Sequence, residues 1–296
     1  RYLNESKQDI ETKNFTCKYI RRHKEKIIEY CVRDALLTQK LAVRLLLKCH
    51  EFGVPTTGLY SQAFLSFEFF KQRGEIIDIS RFWKHHRNAV AVGIDAYEGG
   101  KFEITARGSF SQIWEYDIIS AYPYEIANLV NIRHAKIVRS KKYQSGSVYG
   151  FIRCRVEIHK PVALPCGLII DNTRVYAIGS YYITVTKAEY DYLIELGADV
   201  DILDGYWFMV DFIEYPYRET VLELFERKAE YKKKDDMLYL LCKVMLNGFY
   251  GKFAQLIEDW KGYFNAGQGF NPFYAGIITA NTRLKVCRVQ NQYREK

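Results

Sequence analysis

Between residues 135 and 185 the sequence changes its period, and that change constrains the fold more than any other feature of the chain. "AKIVRS", "SVYGFIRCRVEI", "LPCGLII" and "RVYAIGSYYITVT" are rich in β-branched and aromatic residues, which predicts strands. Helical spacing dominates on either side. Apolar residues in "KEKIIEYCVRDALLTQKLAVRLLLKCH" predict a helix over 24–50, ended by Gly53 and Pro55. "TTGLYSQAFLSFEFFKQRG" predicts a second helix behind a threonine cap. "AVAVGIDAYEGGKFEI" predicts strand, Gly-Gly turn, strand. Residues 111–120, "SQIWEYDIIS", predict a strand closed by Tyr122-Pro123, and "YEIANLV" then opens a helix with Pro near its first turn. Further on, "KAEYDYLIELG" predicts a helix stopped at Gly197, and "DVDILDGYWFMV" a strand. Residues 217–256 predict two helices broken at "KKKDD", and the turn "NAGQGFNP" leads into a last helix. Helices and strands mix without strict βαβ alternation, so the fold class is α+β.

Composition narrows the function classes. The chain has 296 residues, 48% of them hydrophobic and 16% aromatic, which is a globular and not a disordered composition. A formal charge of +8 favours a polyanionic partner over an acidic small molecule, though an ordinary basic surface gives the same number. The seven cysteines stand singly with no C-x-x-C, which predicts reduced thiols in a cytosolic or nucleoid setting and neither a disulfide scaffold nor a zinc site. No apolar run reaches the roughly 18 residues of a membrane span, so no membrane partner is expected. The sequence begins at Arg1 and stops at Lys296 inside a helical pattern, and a fragment is expected.

Four short patterns could carry chemistry. Tyr30 and Asp34, four apart on a helix, share a face; the carboxylate could bind a hard cation and the phenol orient a water, but such pairs are also common on ordinary helices. In Tyr97-Glu-Gly99-Gly100, turn amides could face phosphate oxygens, or the glycines could form a plain hairpin turn. Asp117, in a strand flanked by Trp114, Ile118 and Ile119, is costly to bury unless a partner such as a metal ion neutralises it. Lys243, Asn247, Tyr250 and Gly251 fall on one helical stripe, and could offer a charge, an amide, a ring and a bare backbone to a triphosphate and its base. A solvated face is the plainer reading of that stripe.

Taken together and in order, these patterns resemble the family B DNA polymerases, especially the protein-primed branch of phages and linear replicons. "YCVRD" is similar to the third exonuclease motif, Y-x-x-x-D, and "YEGG" to the Y-x-G-G element between exonuclease and polymerase domains. "DIISAYP" is similar to polymerase motif A, with Ala121 in place of the usual Leu, and "KVMLNGFYGK" to motif B. "IITANTR" resembles the I-T-A-x-x-R segment that follows.

The resemblance implies the end of an RNase H-like 3′–5′ exonuclease domain over 1–95 and a first palm segment over 96–134. It further implies a β-rich insertion resembling the terminal-protein region over 135–210, fingers over 211–256, and a second palm segment over 257–296, truncated before the second palm aspartate and thumb. It implies that Asp117, with the backbone carbonyl of Ile118, binds one or both of two Mg²⁺ ions, and that Tyr122 lies under the sugar of the incoming nucleotide. Ser120 and Lys243 are placed near the triphosphate, with Arg227 and Lys232 as further phosphate ligands. Asn247, Tyr250 and Gly251 shape the base-pair pocket. Tyr30 and Asp34 belong to the exonuclease site, with Asp34 on metal, and Tyr97, Gly99 and Gly100 contact DNA. The implied activity is template-directed addition of dNTPs to a primer 3′-hydroxyl or to a protein primer's hydroxyl, with template-primer DNA, dNTPs and a terminal protein as partners. The expected location is the cytoplasm of a bacterial or archaeal host of a virus or plasmid, or an organelle.

No N-x-x-x-D string, the pattern of another of the family's exonuclease motifs, precedes residue 30, and no D-T-D motif C follows "IITANTR". The nearest acidic string, Asp199-Val-Asp201, precedes motif B. About 120 residues separate motifs A and B, like the first insertion of protein-primed enzymes, while only about 20 separate Gly251 from Asn271 where a second insertion would stand. The alternative function is a catalytically incomplete nucleic-acid-binding remnant or a split-gene subunit of a polymerase.

Overall fold

The computed structural model describes residues 16–54, 56, 58, 61–104, 107–171 and 173–294. The chain opens with α1 (Cys17–Arg22) and the long α2 (Lys24–Glu51), which matches the helical spacing over 24–50. Helix α3 (Gln62–Lys71) is capped by Ser61, whose hydroxyl accepts the Phe64 amide, and so begins later than the expected threonine cap. The short α4 (Ser80–His85) and α5 (Arg87–Asp95) follow. The strand–turn–strand expected over 89–104 is therefore wrong. Ala89, Val90, Val92, Gly93 and Ala96 are all buried, a helical spacing that the alternating "AVAVG" disguised as a strand. A Cβ on Gly93 would lie 2.6 Å from the Phe273 ring, so α5 sits close against the last helix.

The expected strand over 111–120 is also absent. Residues 107–118 are irregular and pair with no strand among the described residues, and Ile113, Trp114, Tyr116 and Ile119 are exposed. A β-prone stretch becomes a strand only when another strand takes up its backbone groups. Helix α6 (Ala121–Ala127) starts at once, with Pro123 in its first turn.

The β-rich block forms β1 (Lys136–Arg139), β2 (Tyr149–Ile158), β3 (Leu168–Ile170), β4 (Thr173–Val175) and β5 (Gly179–Thr186). Then come α7 (Lys187–Glu195) and β6 (Asp199–Met209). The sheet order is β1-β6-β2-β5, every pair antiparallel, with a bulge in β2 at Arg153/Cys154; β3 and β4 form a separate hairpin. The burial of β2 explains its setting. Phe151 and Ile152 point to opposite faces, yet both are fully buried, so this end is covered on both sides. Ile152 joins Val156, Val185, Leu193 and Trp207 in one cluster, whereas Phe151 packs with Phe208 and Phe273 in the main core. Beyond the bulge, Arg153 and Arg155 are exposed and one face meets water. Helix α7 is fixed by a capping box between Thr186 and Glu189 and ends at Gly197, where φ is +80°.

The C-terminal part holds α8 (Arg218–Tyr231), α9 (Asp236–Gly248), α10 (Tyr250–Phe253), a hairpin of β7 (Leu256–Glu258) and β8 (Phe264–Ala266), and α11 (Pro272–Arg294). The break at "KKKDD" caps α9: the Asp235 carboxylate accepts the amides of Met237 and Leu238. Helix α9 lies close on α3. Gly248 leaves no room for a Cβ beside the Gln62 backbone, Ser66 donates to the Met245 carbonyl at 2.5 Å, and Phe70 stacks on Phe249 at 3.9 Å. Asn271, fully buried, donates to the Ile77 carbonyl and accepts the Tyr274 amide, which starts α11 inside the core. No helix among the described residues is long and apolar enough to cross a membrane.

Candidate active site

A cleft of about 520 Å³ opens where the irregular segment before α6 runs into that helix. Its walls are Asp117 and Ser120 from that segment, Tyr122 from α6, Lys228 from α8, Tyr239, Lys243 and Asn247 from α9, and Thr282 and Val286 from α11. Parts of the chain more than 120 positions apart thus meet in one open concavity, a polar setting suited to a charged ligand.

The turn into α6 is made at Ser120, in the left-handed region with φ 54°. This conformation is unfavourable for a residue with a Cβ, and here it reverses the chain between Asp117 and Tyr122. Asp117 is exposed at the cleft and not buried in a strand, so the expectation of a costly buried carboxylate is corrected: no strand forms to enclose it. Ile118 lies in the same wall.

Tyr122 is held by two other tyrosines. Its ring lies 4.5 Å from that of Tyr250, and the Tyr250 hydroxyl shares a 2.7 Å hydrogen bond with that of Tyr97. Burial pushes the Tyr250 phenol well above its usual value, reinforced by the bond to Tyr97, and burial also raises Tyr122. Both stay neutral at physiological pH. The stripe expected over 243, 247, 250 and 251 is split: α9 ends at Gly248, so Lys243 and Asn247 face the cleft while Tyr250 points to Tyr97. A Cβ on Gly251 would meet nothing within 4 Å.

Lys228 and Lys243 both line the cleft, and among the described residues neither is engaged in an ion pair. Arg227 is not in the cleft. Its guanidinium donates to the Phe52 carbonyl at 3.0 Å, lies over the Phe52 ring and pairs with Glu223. Lys232 is exposed at the end of α8 and is also outside it. Sequence spacing could not separate Arg227 from Lys228. Both continue the buried stripe of Thr220, Val221 and Leu224 one heptad on, and the docking of α2 decides between them.

The Tyr97-Glu98-Gly99-Gly100 loop follows α5 and is no hairpin. Arg283, 1% exposed, grips it: Nη1 donates to the carbonyls of Glu98 and Gly99. The same guanidinium donates through Nε to the Pro165 carbonyl at 2.7 Å and through Nη2 to Glu189 at 2.5 Å. One side chain therefore ties the glycine loop, the β-rich block and α11 together. It lies in the "IITANTR" segment, so the motif flagged the position but not its partners. Glu125, also buried, fixes α6 on α11 by accepting from Lys285 at 2.5 Å and Asn281 at 2.8 Å; no motif pointed to it.

Tyr30 and Asp34 lie half-buried on one face of α2, away from the cleft. Among the described residues no group of three or more His, Cys, Asp or Glu side chains converges. At the cleft the walls hold one carboxylate, Asp117. One carboxylate and a carbonyl suit Mg²⁺, which keeps much of its water and takes few protein ligands. Two ions held side by side need a further acid, which these walls do not bring.

The chain matches the family described as DNA polymerase type B, organellar and viral, over residues 2–286. It is 23% identical over 281 residues to the DNA polymerase of Acidianus bottle-shaped virus (isolate Italy/Pozzuoli), covering 90% of this chain and 40% of that protein. It is 27% identical over 172 residues to a probable DNA polymerase of Podospora anserina, covering 56% of this chain and 13% of that one. The chain thus spans less than half the length of these relatives. Its fold is similar to that of Phi29 DNA polymerase in an orthorhombic crystal form, with a TM-score of 0.60 at 15% identity, covering 85% of this chain and 48% of that one. Against Phi29 DNA polymerase complexed with primer-template DNA and incoming nucleotide substrates the TM-score is 0.57 at 16% identity, covering 99% and 55%.

Proposed function

This chain belongs to the organellar and viral type B DNA polymerases, and from that premise we propose that it carries the nucleotide-binding half of a DNA polymerase active site. The protein would add dNTPs to a primer 3′-hydroxyl, or to a protein primer's hydroxyl, on template DNA. The observation that carries this reading is the cleft, where Asp117, Ser120 and Tyr122 face Lys228, Lys243 and Asn247.

In that reading Asp117 and the Ile118 carbonyl hold Mg²⁺, and bound ions would supply charge neutralisation at the phosphates and a more acidic 3′-hydroxyl. Lys228 and Lys243 take the triphosphate as point charges. Lys228 replaces Arg227 and Lys232 as the cation that α8 offers. Ser120 donates its hydroxyl to a phosphate oxygen. The Tyr122 ring lies under the sugar and excludes a 2′-hydroxyl. Tyr97 keeps Tyr250 upright, and Asn247, Tyr250 and the bare backbone at Gly251 bound the base pair. Gly99 and Gly100 leave their amides open to the template backbone.

Tyr30 and Asp34 would serve a 3′–5′ exonuclease site completed by acids from elsewhere in the protein. The β-rich block is the surface offered to a terminal protein. The single carboxylate in the cleft also supports a second reading, a catalytically incomplete nucleic-acid-binding remnant or split-gene subunit. Primer extension with Mg²⁺ and dNTPs, using the protein expressed from its own gene, separates the two: elongation supports the polymerase, and template binding without elongation supports the remnant.

A further inference from the structure

Arg227 lies outside the cleft, yet its side chain is held by α2 and by its own helix. Its Nη1 donates to the Phe52 carbonyl at 3.0 Å, and the guanidinium lies 5.0 Å from the centre of the Phe52 ring. Phe52 caps α2 and is 1% exposed, so this anchor is itself fixed in the core. Nη2 pairs with Glu223, one turn back on α8, at 2.7 Å. Just after α3, Arg73 donates to both oxygens of Glu223 at 2.5 and 2.8 Å. Those bonds hold the Glu223 carboxyl below its usual range, so it stays ionised and can pair with both arginines. The row Arg73–Glu223–Arg227 thus joins the ends of α2 and α3 to the last turns of α8.

The other end of α8 carries a second arginine. Arg218 donates to the Ala127 carbonyl at 3.2 Å and to the Asn128 side chain at 2.8 Å. Between the two arginines lie the buried Val221 and Leu224. Apolar burial has no direction, so that stripe alone leaves the helix free to turn about its axis. A guanidinium fork does have direction, and one at each end fixes the rotation. Lys228 follows Arg227 directly, about 100° round the axis, and lines the cleft. A turn of about 10° would carry a side-chain tip about 6 Å from the axis through about 1 Å. A shift of that size loosens a charge-assisted contact to a phosphate oxygen.

We infer that Arg227 is a positioning residue for the incoming nucleotide: held by the Phe52 carbonyl and Glu223, it sets the rotation of α8 that aims Lys228 at the triphosphate. The inference rests on the reading of Lys228 as a triphosphate ligand and adds to it that the end of α2, outside the cleft, sets nucleotide affinity. An arginine that only stabilised the fold would leave that affinity unchanged in the folded protein.

The test is equilibrium binding of a fluorescent dATP, with Mg²⁺, to the whole protein on a primer-template whose next template base is dT. The primer ends in a dideoxynucleotide, so nothing is incorporated. Lys228→Ala should weaken dATP about tenfold, the loss of one charge-assisted contact. Arg227→Gln should weaken it about fivefold, although this side chain does not line the cleft. In a Lys228→Ala background, Arg227→Gln should cost no further affinity. Arg227→Lys keeps the charge and the pair with Glu223 but lacks the fork, so it should weaken dATP about threefold and carries the same test if Arg227→Gln does not fold. Primer-template affinity, read by anisotropy of labelled DNA, should stay at the wild-type value in each folded variant. Wild-type dATP affinity in the Arg227 variants overturns the inference, as does an equal fold-loss with and without Lys228. Wild-type dATP affinity in Lys228→Ala instead overturns the triphosphate reading on which the inference rests.

Discussion

Tyr97 and Tyr250 stand 153 positions apart, and their hydroxyls meet at 2.7 Å, with the Tyr250 ring 4.5 Å from that of Tyr122. This bond links the glycine loop to the start of α10. A double-mutant cycle of Tyr97→Phe and Tyr250→Phe should give a coupling of about 1 kcal/mol in denaturant unfolding. Additive losses would mean the two hydroxyls do not cooperate.

Burial raises Tyr149, Tyr217 and Tyr250 above the ordinary phenol value. In the unfolded chain each would titrate near its ordinary value of about 10. The stability they contribute is complete below that pH and falls as pH rises above it, because the unfolded phenols ionise first. Melting temperatures should hold to about pH 10 and then drop, and a flat profile through pH 11 would contradict these buried positions.

Arg283 and Glu189 are each 1% exposed and joined at 2.5 Å. Arg283→Met leaves the Glu189 carboxylate buried without its cation and frees the Glu98, Gly99 and Pro165 carbonyls. The expected loss is about 3–5 kcal/mol of unfolding free energy. A loss under about 1 kcal/mol would show that the clamp is not structural.

Glu125 and Lys285 form an asymmetric pair, the carboxylate buried and the ammonium 39% exposed. Lys285→Met strands the buried acid and should cost about 2 kcal/mol. Glu125→Gln keeps the bond to Asn281, lets Lys285 reach water, and should cost under about 1 kcal/mol. Equal losses measured by chemical denaturation would rule out this account of α6 docking.

Much of this was legible in residues read in order. The helix over 24–50, the strands between 135 and 209 and the two helices broken at "KKKDD" follow from local period, which α2, β2 and α9 obey. The motifs marked Asp117, Tyr122, Lys243 and Asn247, and the fold brings these four to one cleft. What was not legible depends on long-range partners. "AVAVG" alternates like a strand, but Phe273 offers it a helix-packing surface. "SQIWEYDIIS" has strand residues and finds no neighbouring strand among the described residues. Arg227 and Lys228 are equivalent by period, and only the Phe52 carbonyl separates them. No local pattern marks Glu125, whose partners Asn281 and Lys285 come from α11.

The central claim is that the Asp117 carboxylate is the cleft's metal-binding acid in DNA synthesis. It is tested most directly by single-turnover primer extension with Asp117→Asn in the protein expressed from its own gene. Losing that ligand should remove several kcal/mol of transition-state stabilisation, so extension should fall by about a thousandfold or more. Affinity for primer-template should stay at the wild-type value, because the exposed side chain holds no part of the fold together. Extension at the wild-type rate by Asp117→Asn would contradict the account.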